Sequence, residues 1–150
     1  MNYEIKTLFK IGDGFVSVDE VLNSPPDPDY IEGAIEWRIG QNVILNKQHW
    51  DLVDQLWAYI INGLRELLKH GDYKTYFPDQ PLFLGFKMLT GRMVQVTIGD
   101  VKTAVERSVM LRSLVEGSTS FFEKMQELVP QRRVIWNNYL CEINRIRDSM

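Results

Sequence analysis

Residues 47–71 read KQHWDLVDQLWAYIINGLRELLKHG, and the period of this stretch decides the fold. Trp50, Val53, Leu56, Trp57, Ile60, Leu64, Leu67 and Leu68 recur at i, i+3, i+4 and i+7. That spacing lines apolar side chains along one side of an α-helix. Asn46 stands where an N-cap belongs. Asp51 near the first turn and Lys69 and His70 in the last match the helix dipole. Gly71 closes the helix as a C′ glycine. Gly63, in its interior, is either a weak point or a place where another element packs closely.

On the N-terminal side the period changes to two. Tyr3, Ile5, Thr7, Phe9 and Ile11 alternate with Glu4, Lys6, Leu8 and Lys10, the pattern of a half-buried strand. Gly12-Asp13-Gly14 supplies the residues a hairpin turn needs, and Phe15–Val18 is the returning strand. Pro25, Pro26 and Pro28 remove three backbone donors, so residues 23–29 form a loop. From Tyr30 to Ile39 the alternation resumes. Ile31, Gly33, Ile35, Trp37 and Ile39 share the core face, and Tyr30, Glu32, Ala34, Glu36 and Arg38 share the other. Val43–Leu45 is a short strand.

On the C-terminal side, Leu82–Leu89, Met93–Ile98 and Val101–Glu106 are separated by Thr90-Gly91 and Gly99-Asp100. Turns this short force antiparallel pairing, hence a three-strand meander. Leu82–Leu89 is apolar on both faces, which predicts a central strand covered on both sides. Met110, Leu114, Phe121, Met125 and Leu128 then return to helical spacing. Pro130 breaks that helix. A last helix carries Trp136, Tyr139, Leu140, Ile143 and Ile146 along one side. The expected fold is α+β in a single domain of residues 1–150. Its antiparallel sheet, a hairpin plus a three-strand meander, packs against the long amphipathic helix and a C-terminal helical pair.

Composition agrees with a globular chain. Of 150 residues, 45% are hydrophobic and 25% charged, which excludes disordered and low-complexity classes. The net charge of −3 is unevenly spread. Residues 1–46 carry three basic and eight acidic side chains, a net of −5, against +2 for the remainder. The longest uncharged apolar run, near Leu56–Leu64, falls short of the ~20 residues that cross a bilayer, so no membrane segment is expected. The N-terminus lacks the pattern of a signal peptide. Cys141 is the only cysteine, so no intramolecular disulfide forms. Together these place the expected protein in a reducing cytoplasm.

Residues that carry chemistry are sparse. His49 and His70 fall at opposite ends of the predicted helix, ~32 Å apart along its axis, and cannot share a metal ion. Cys141 adjoins an apolar stripe with no histidine implied beside it. Gly12-Asp13-Gly14 opens no helix, so it does not cradle phosphate. Asp51 and Asp54 adjoin at i, i+3 with no basic partner implied. Glu32 and Glu36 lie on one strand face, ~13 Å apart, beyond the separation of a glycosidic acid/base pair. Basic residues are scattered, and Arg132-Arg133, Arg145 and Arg147 are interleaved with Glu142 and Asp148, so no direct nucleic-acid contact is expected. The expectation is a non-enzymatic chain with no catalytic residue, no metal and no cofactor.

Three segments, Tyr30–Glu36 (YIEGAIE), Trp50–Trp57 (WDLVDQLW) and Tyr76–Pro81 (YFPDQP), together resemble a family of small single-domain bacterial proteins. These are the immunity proteins of polymorphic toxin systems, and the resemblance covers roughly residues 28–130. It implies a stoichiometric inhibitor that binds a cognate protein toxin, a nuclease being one class, without chemistry of its own. An acidic face would be steered to a nuclease's basic groove. Asp27, Asp29, Glu32 and Glu36, with Tyr30 as a rigid aromatic anchor, are therefore the candidate partner-binding residues. Two alternatives stand beside this one. A small-ligand or enzymatic pocket between sheet and helix would be lined by Trp37, Trp50, Trp57 and Tyr76. A homo-oligomeric subunit would dimerise through the apolar stripes of the C-terminal helices.

Overall fold

The computed structural model describes residues 2–150. The chain is α+β, but its strands form two antiparallel sheets rather than one. The first contains β1 (Tyr3–Ile11), β2 (Gly14–Ser17), β3 (Glu32–Ile39), β4 (Asn42–Leu45) and the two-residue β5 (Asp51–Leu52). Its order is β2-β1-β3-β4, with β5 also paired to β3. The second is a meander of four strands in sequence order, β6 (Asp72–Tyr76), β7 (Phe83–Met88), β8 (Met93–Ile98) and β9 (Val101–Glu106). Three helices complete the fold: α1 (Val53–His70), α2 (Arg107–Leu128) and α3 (Arg133–Asp148).

The two sheets share a helical layer. Helix α1 packs on β6 and β7 of the second sheet and on β3 of the first. Helix α2 packs on β1 of the first and on β8 and β9 of the second, and α3 lies over α2 and α1. The core face expected for β3 is the one observed, with Ile31, Ile35, Trp37 and Ile39 all buried. Each large buried indole has a partner for its N–H. Trp37 donates to Ser113 Oγ at 2.9 Å, Trp57 to Thr7 Oγ1 at 3.1 Å and Trp136 to the Val129 carbonyl at 3.0 Å. These bonds satisfy polar groups that would otherwise be costly to bury, and they fix register between distant segments.

The long helix begins later than its periodicity predicts. Residues 47–49 form a separate 3-10 turn, and Asn46 caps that turn, accepting from Gln48 N at 2.8 Å. Asp51 and Leu52 are claimed by strand pairing with Gly33 and Glu32. The Val53 amide then donates to the Ile31 carbonyl at 2.9 Å, so β3 takes up one of the unsatisfied donors of the first turn. Trp50 and Asp51 are therefore outside α1. At the other end Gly71 is left-handed (φ 79°) and its amide caps Leu67, as expected. Gly63 marks a close approach: a β-carbon there would lie 2.6 Å from Tyr73 Cδ2 and 2.8 Å from Phe86 Cε2.

Two further expectations need correction. Asp72–Tyr76 forms a fourth strand of the meander, unforeseen because its residues are polar or aromatic with little aliphatic content. Strand β7 is central but covered on one face only. Leu84 and Phe86 face the helices, while Lys87 on the other side is exposed. The stripe of α3 is used inside the chain: Trp136, Ile143 and Ile146 are buried, and Tyr139 and Leu140 pack partly against the same core.

Candidate functional site

The loop and strand segments around Tyr30, Asp51 and Asp79 meet at one corner of the first sheet. Pairing of Gly33 with Asp51 and Glu32 with Leu52 joins β3 to β5. Asp51 is only 1% exposed, and its carboxylate accepts three backbone amides. These are Leu52 N at 2.6 Å, Asp79 N at 3.0 Å and Gln80 N at 3.0 Å. Amide donors of this kind satisfy a buried carboxylate without a cation. The Gln80 side-chain amide returns to the Trp50 carbonyl, so the 77–81 loop is tied to β5 from both sides. Phe77 beneath it is buried, and its amide donates to the Leu82 carbonyl at 2.8 Å.

Tyr30 stands on this base. It is 48% exposed, and its hydroxyl donates to Asp79 Oδ2 at 3.4 Å. The Asp79 carboxylate, aided by Glu32, pushes the phenol above its ordinary value, so Tyr30 stays protonated and a donor. Tyr30 and the sequence-nominated Asp27 and Glu32 border a cleft of about 210 Å³ that also touches Lys10 and Pro25. Lys10 is engaged elsewhere, donating to the Gly12 carbonyl at 2.8 Å with its ammonium 4.5 Å from the Trp50 ring centre.

Not all five nominated residues converge. Asp27, Tyr30 and Glu32 do. Asp27 also shapes the loop, since its carboxylate accepts the Asp29 amide at 2.9 Å and its carbonyl accepts the Tyr30 amide at 3.1 Å. Asp29 turns away to pair with Arg132, which also donates to the Pro28 carbonyl. Glu36 lies farther up β3, directly across from Lys6 and 3.7 Å from its ammonium. Asp79, absent from the nominated set, completes the corner in place of Asp29 and Glu36. The only sequence signal for it was its place in the Tyr76–Pro81 segment.

The four aromatic residues proposed to line a pocket do not meet. Trp37 and Trp57 are buried in the core, Trp50 lies under Lys10, and Tyr76 is 60% exposed on the second sheet. A cleft of about 580 Å³ touches Trp37 but none of the other three. Four of its five charged side chains pair with one another, Lys6 with Glu36 and Arg38 with Glu4, and the fifth, Glu116, accepts the Tyr3 hydroxyl. His49 lies before α1 and His70 is its last residue, so the 18-residue helix keeps them about 27 Å apart along its axis. Among the described residues, no three His, Cys, Asp or Glu side chains are grouped to hold a metal ion. No described helix is long and apolar enough to cross a membrane.

Comparison with protein-family models, curated proteins and solved structures finds no match.

Proposed function

We propose that this chain is a non-catalytic binding protein, an immunity-type inhibitor that neutralises a cognate bacterial toxin in the cytoplasm. One observation carries the reading. The three separated segments on which the resemblance rests, around Tyr30, Asp51 and Asp79, assemble into a single corner. There an exposed tyrosine stands among the carboxylates of Asp27, Glu32 and Asp79, and the loop that carries Asp79 is held by the buried carboxylate of Asp51. Tyrosine is favoured at binding hot spots because it presents a large, rigid surface with a polar tip. Carboxylates around it complement a basic groove and speed encounter with it. A nuclease toxin, whose groove is built for phosphates, fits that description.

The test is growth rescue. An immunity protein is expected to be encoded beside a larger toxin, so co-expression of the chain with such a neighbour is expected to restore growth, and the purified pair to form a 1:1 complex. Asp27→Asn, Glu32→Gln and Asp79→Asn combined should weaken the complex and flatten its salt dependence, and Tyr30→Ala should raise the dissociation rate. Absence of both rescue and binding overturns the proposal. Binding by the triple variant equal to that of the parent at every salt concentration removes the corner as the docking site.

A further inference from the structure

The open face of the second sheet gathers residues that lie far apart in sequence. Strand register places Lys74, Gly85, Thr97 and Lys102 in one row across β6 to β9. Asp72, Lys87, Gln95 and Ala104 form the next row. Tyr76 and Phe83 face each other at one end. Lys74, Lys87 and Lys102 are exposed, and the only acid in these rows, Asp72, is 4.0 Å from Lys74. The chain as a whole is acidic, yet this face carries three lysines against two acids, Asp72 and, one row beyond Ala104 on β9, Glu106.

The aromatic pair adds a second kind of contact. Phe83 has a structural duty, since its ring covers Gly85 so closely that a β-carbon there would lie 2.8 Å from Phe83 Cε2. Tyr76 has no such duty. It meets Phe83 edge to face at 5.9 Å and is 60% exposed. A trough of about 210 Å³ runs beside Phe83 over Gly85, between the lysines. The outer lysines of the row are three strand spacings apart, ~14 Å.

We infer that this face binds single-stranded nucleic acid, with Tyr76 and Phe83 as the stacking platform and Lys74, Lys87 and Lys102 as phosphate contacts. Bases stack on aromatic rings presented by a sheet, and only unpaired bases have a free face to offer. Lysine ammonium groups neutralise phosphates and release counterions. An acidic peptide would use the lysines but leave Tyr76 without a planar partner. The inference is independent of the acidic corner on the first sheet.

Fluorescence anisotropy with labelled 12-nucleotide oligo(U) and oligo(dT) tests it on the full chain. Three phosphate contacts predict an affinity loss of about 18-fold between 50 and 200 mM salt. Lys87→Ala and Lys102→Ala should each lower that salt slope by about 0.7. Tyr76→Ala should weaken binding about fivefold or more. All three side chains are exposed, and unchanged melting of each variant would show that folding is intact. Asp27→Asn with Glu32→Gln should leave oligonucleotide binding unchanged, which separates this surface from the toxin-binding corner. The inference is overturned if neither oligonucleotide binds. It is equally overturned if a 12-base-pair duplex binds as well as the single strands and Tyr76→Ala has no effect, or if polyglutamate binds and the oligonucleotides do not.

Discussion

Replacing Asp51 with alanine probes the buried support beneath the candidate corner. The parent carboxylate holds the 77–81 loop through two amides, those of Asp79 and Gln80, and caps its own neighbour Leu52. Hydrogen bonds to a charged acceptor contribute about 1.5–3 kcal/mol each. The Leu52 bond is local, and the two loop amides lie near enough to the surface for water to replace part of what they lose. Taking the lower figure for both gives a loss of about 3 kcal/mol. For a chain of this size that corresponds to a melting temperature lower by roughly 6–12 °C. Asp51→Asn keeps the shape but turns an amino group toward amide donors, so it should recover only part of the loss. Thermal melts followed by circular dichroism give the global effect. Amide hydrogen exchange gives the local one, with the Asp79 and Gln80 amides losing protection before the core strands do. A melting point within 2 °C of the parent, with both amides still protected, would refute the assigned role.

Gly63→Ala adds helix propensity of about 1 kcal/mol, but its β-carbon meets the Tyr73 and Phe86 rings, and overpacking of about 1–3 kcal/mol should outweigh the gain. A lower melting temperature is expected, and a higher one would contradict the close approach. Burial pushes the Asp54 carboxyl above its ordinary value, so the native state keeps its proton where the unfolded chain has released it, and stability falls as pH rises through the native value. Asp54→Asn should therefore stabilise the protein at pH 7 and give no gain below about pH 4, measured by urea unfolding at both. Burial holds His49 below its ordinary value, and its neutral Nδ1 accepts the Asn46 amide at 3.0 Å. As pH falls from 6.5 the unfolded chain takes up that proton first, so this contribution to stability is lost between 6.5 and the lower native value. An NMR titration midpoint for His49 at or above 6.5 would contradict the burial.

Much of the fold was legible from local pattern. The alternation of residues 3–11 and 30–39 gave β1 and β3 with the correct core face for β3, and Gly12, Gly71 and Gly99 marked their turns and caps. The start of α1 was not legible, because Trp50 fits helical spacing by coincidence while Asp51 and Leu52 are recruited as a strand by Glu32 and Gly33. Periodicity reports what a segment prefers alone, and pairing with a distant segment overrides it. β6 was missed for a related reason: its stability comes from pairing with β7, not from its own composition. At the candidate corner, acidity nominated four carboxylates, but only geometry separates Asp27 and Glu32 from Asp29 and Glu36, which have cations of their own. Lys74, Lys87 and Lys102 looked scattered because register across three strands, not sequence distance, brings them onto one face.

The packing of α2 on β1 has a consequence for synthesis. The indole of Trp37 waits for Ser113, and β1 waits for a helix that ends at Leu128. Ribosomes add roughly 5–20 residues per second, so the first strand emerges roughly 6–23 s before the helix that covers it is finished. During that interval a nascent hairpin with apolar residues on its uncovered face is a substrate for chaperones. Slower translation lengthens the interval in which β1 lacks α2, the helix that covers it.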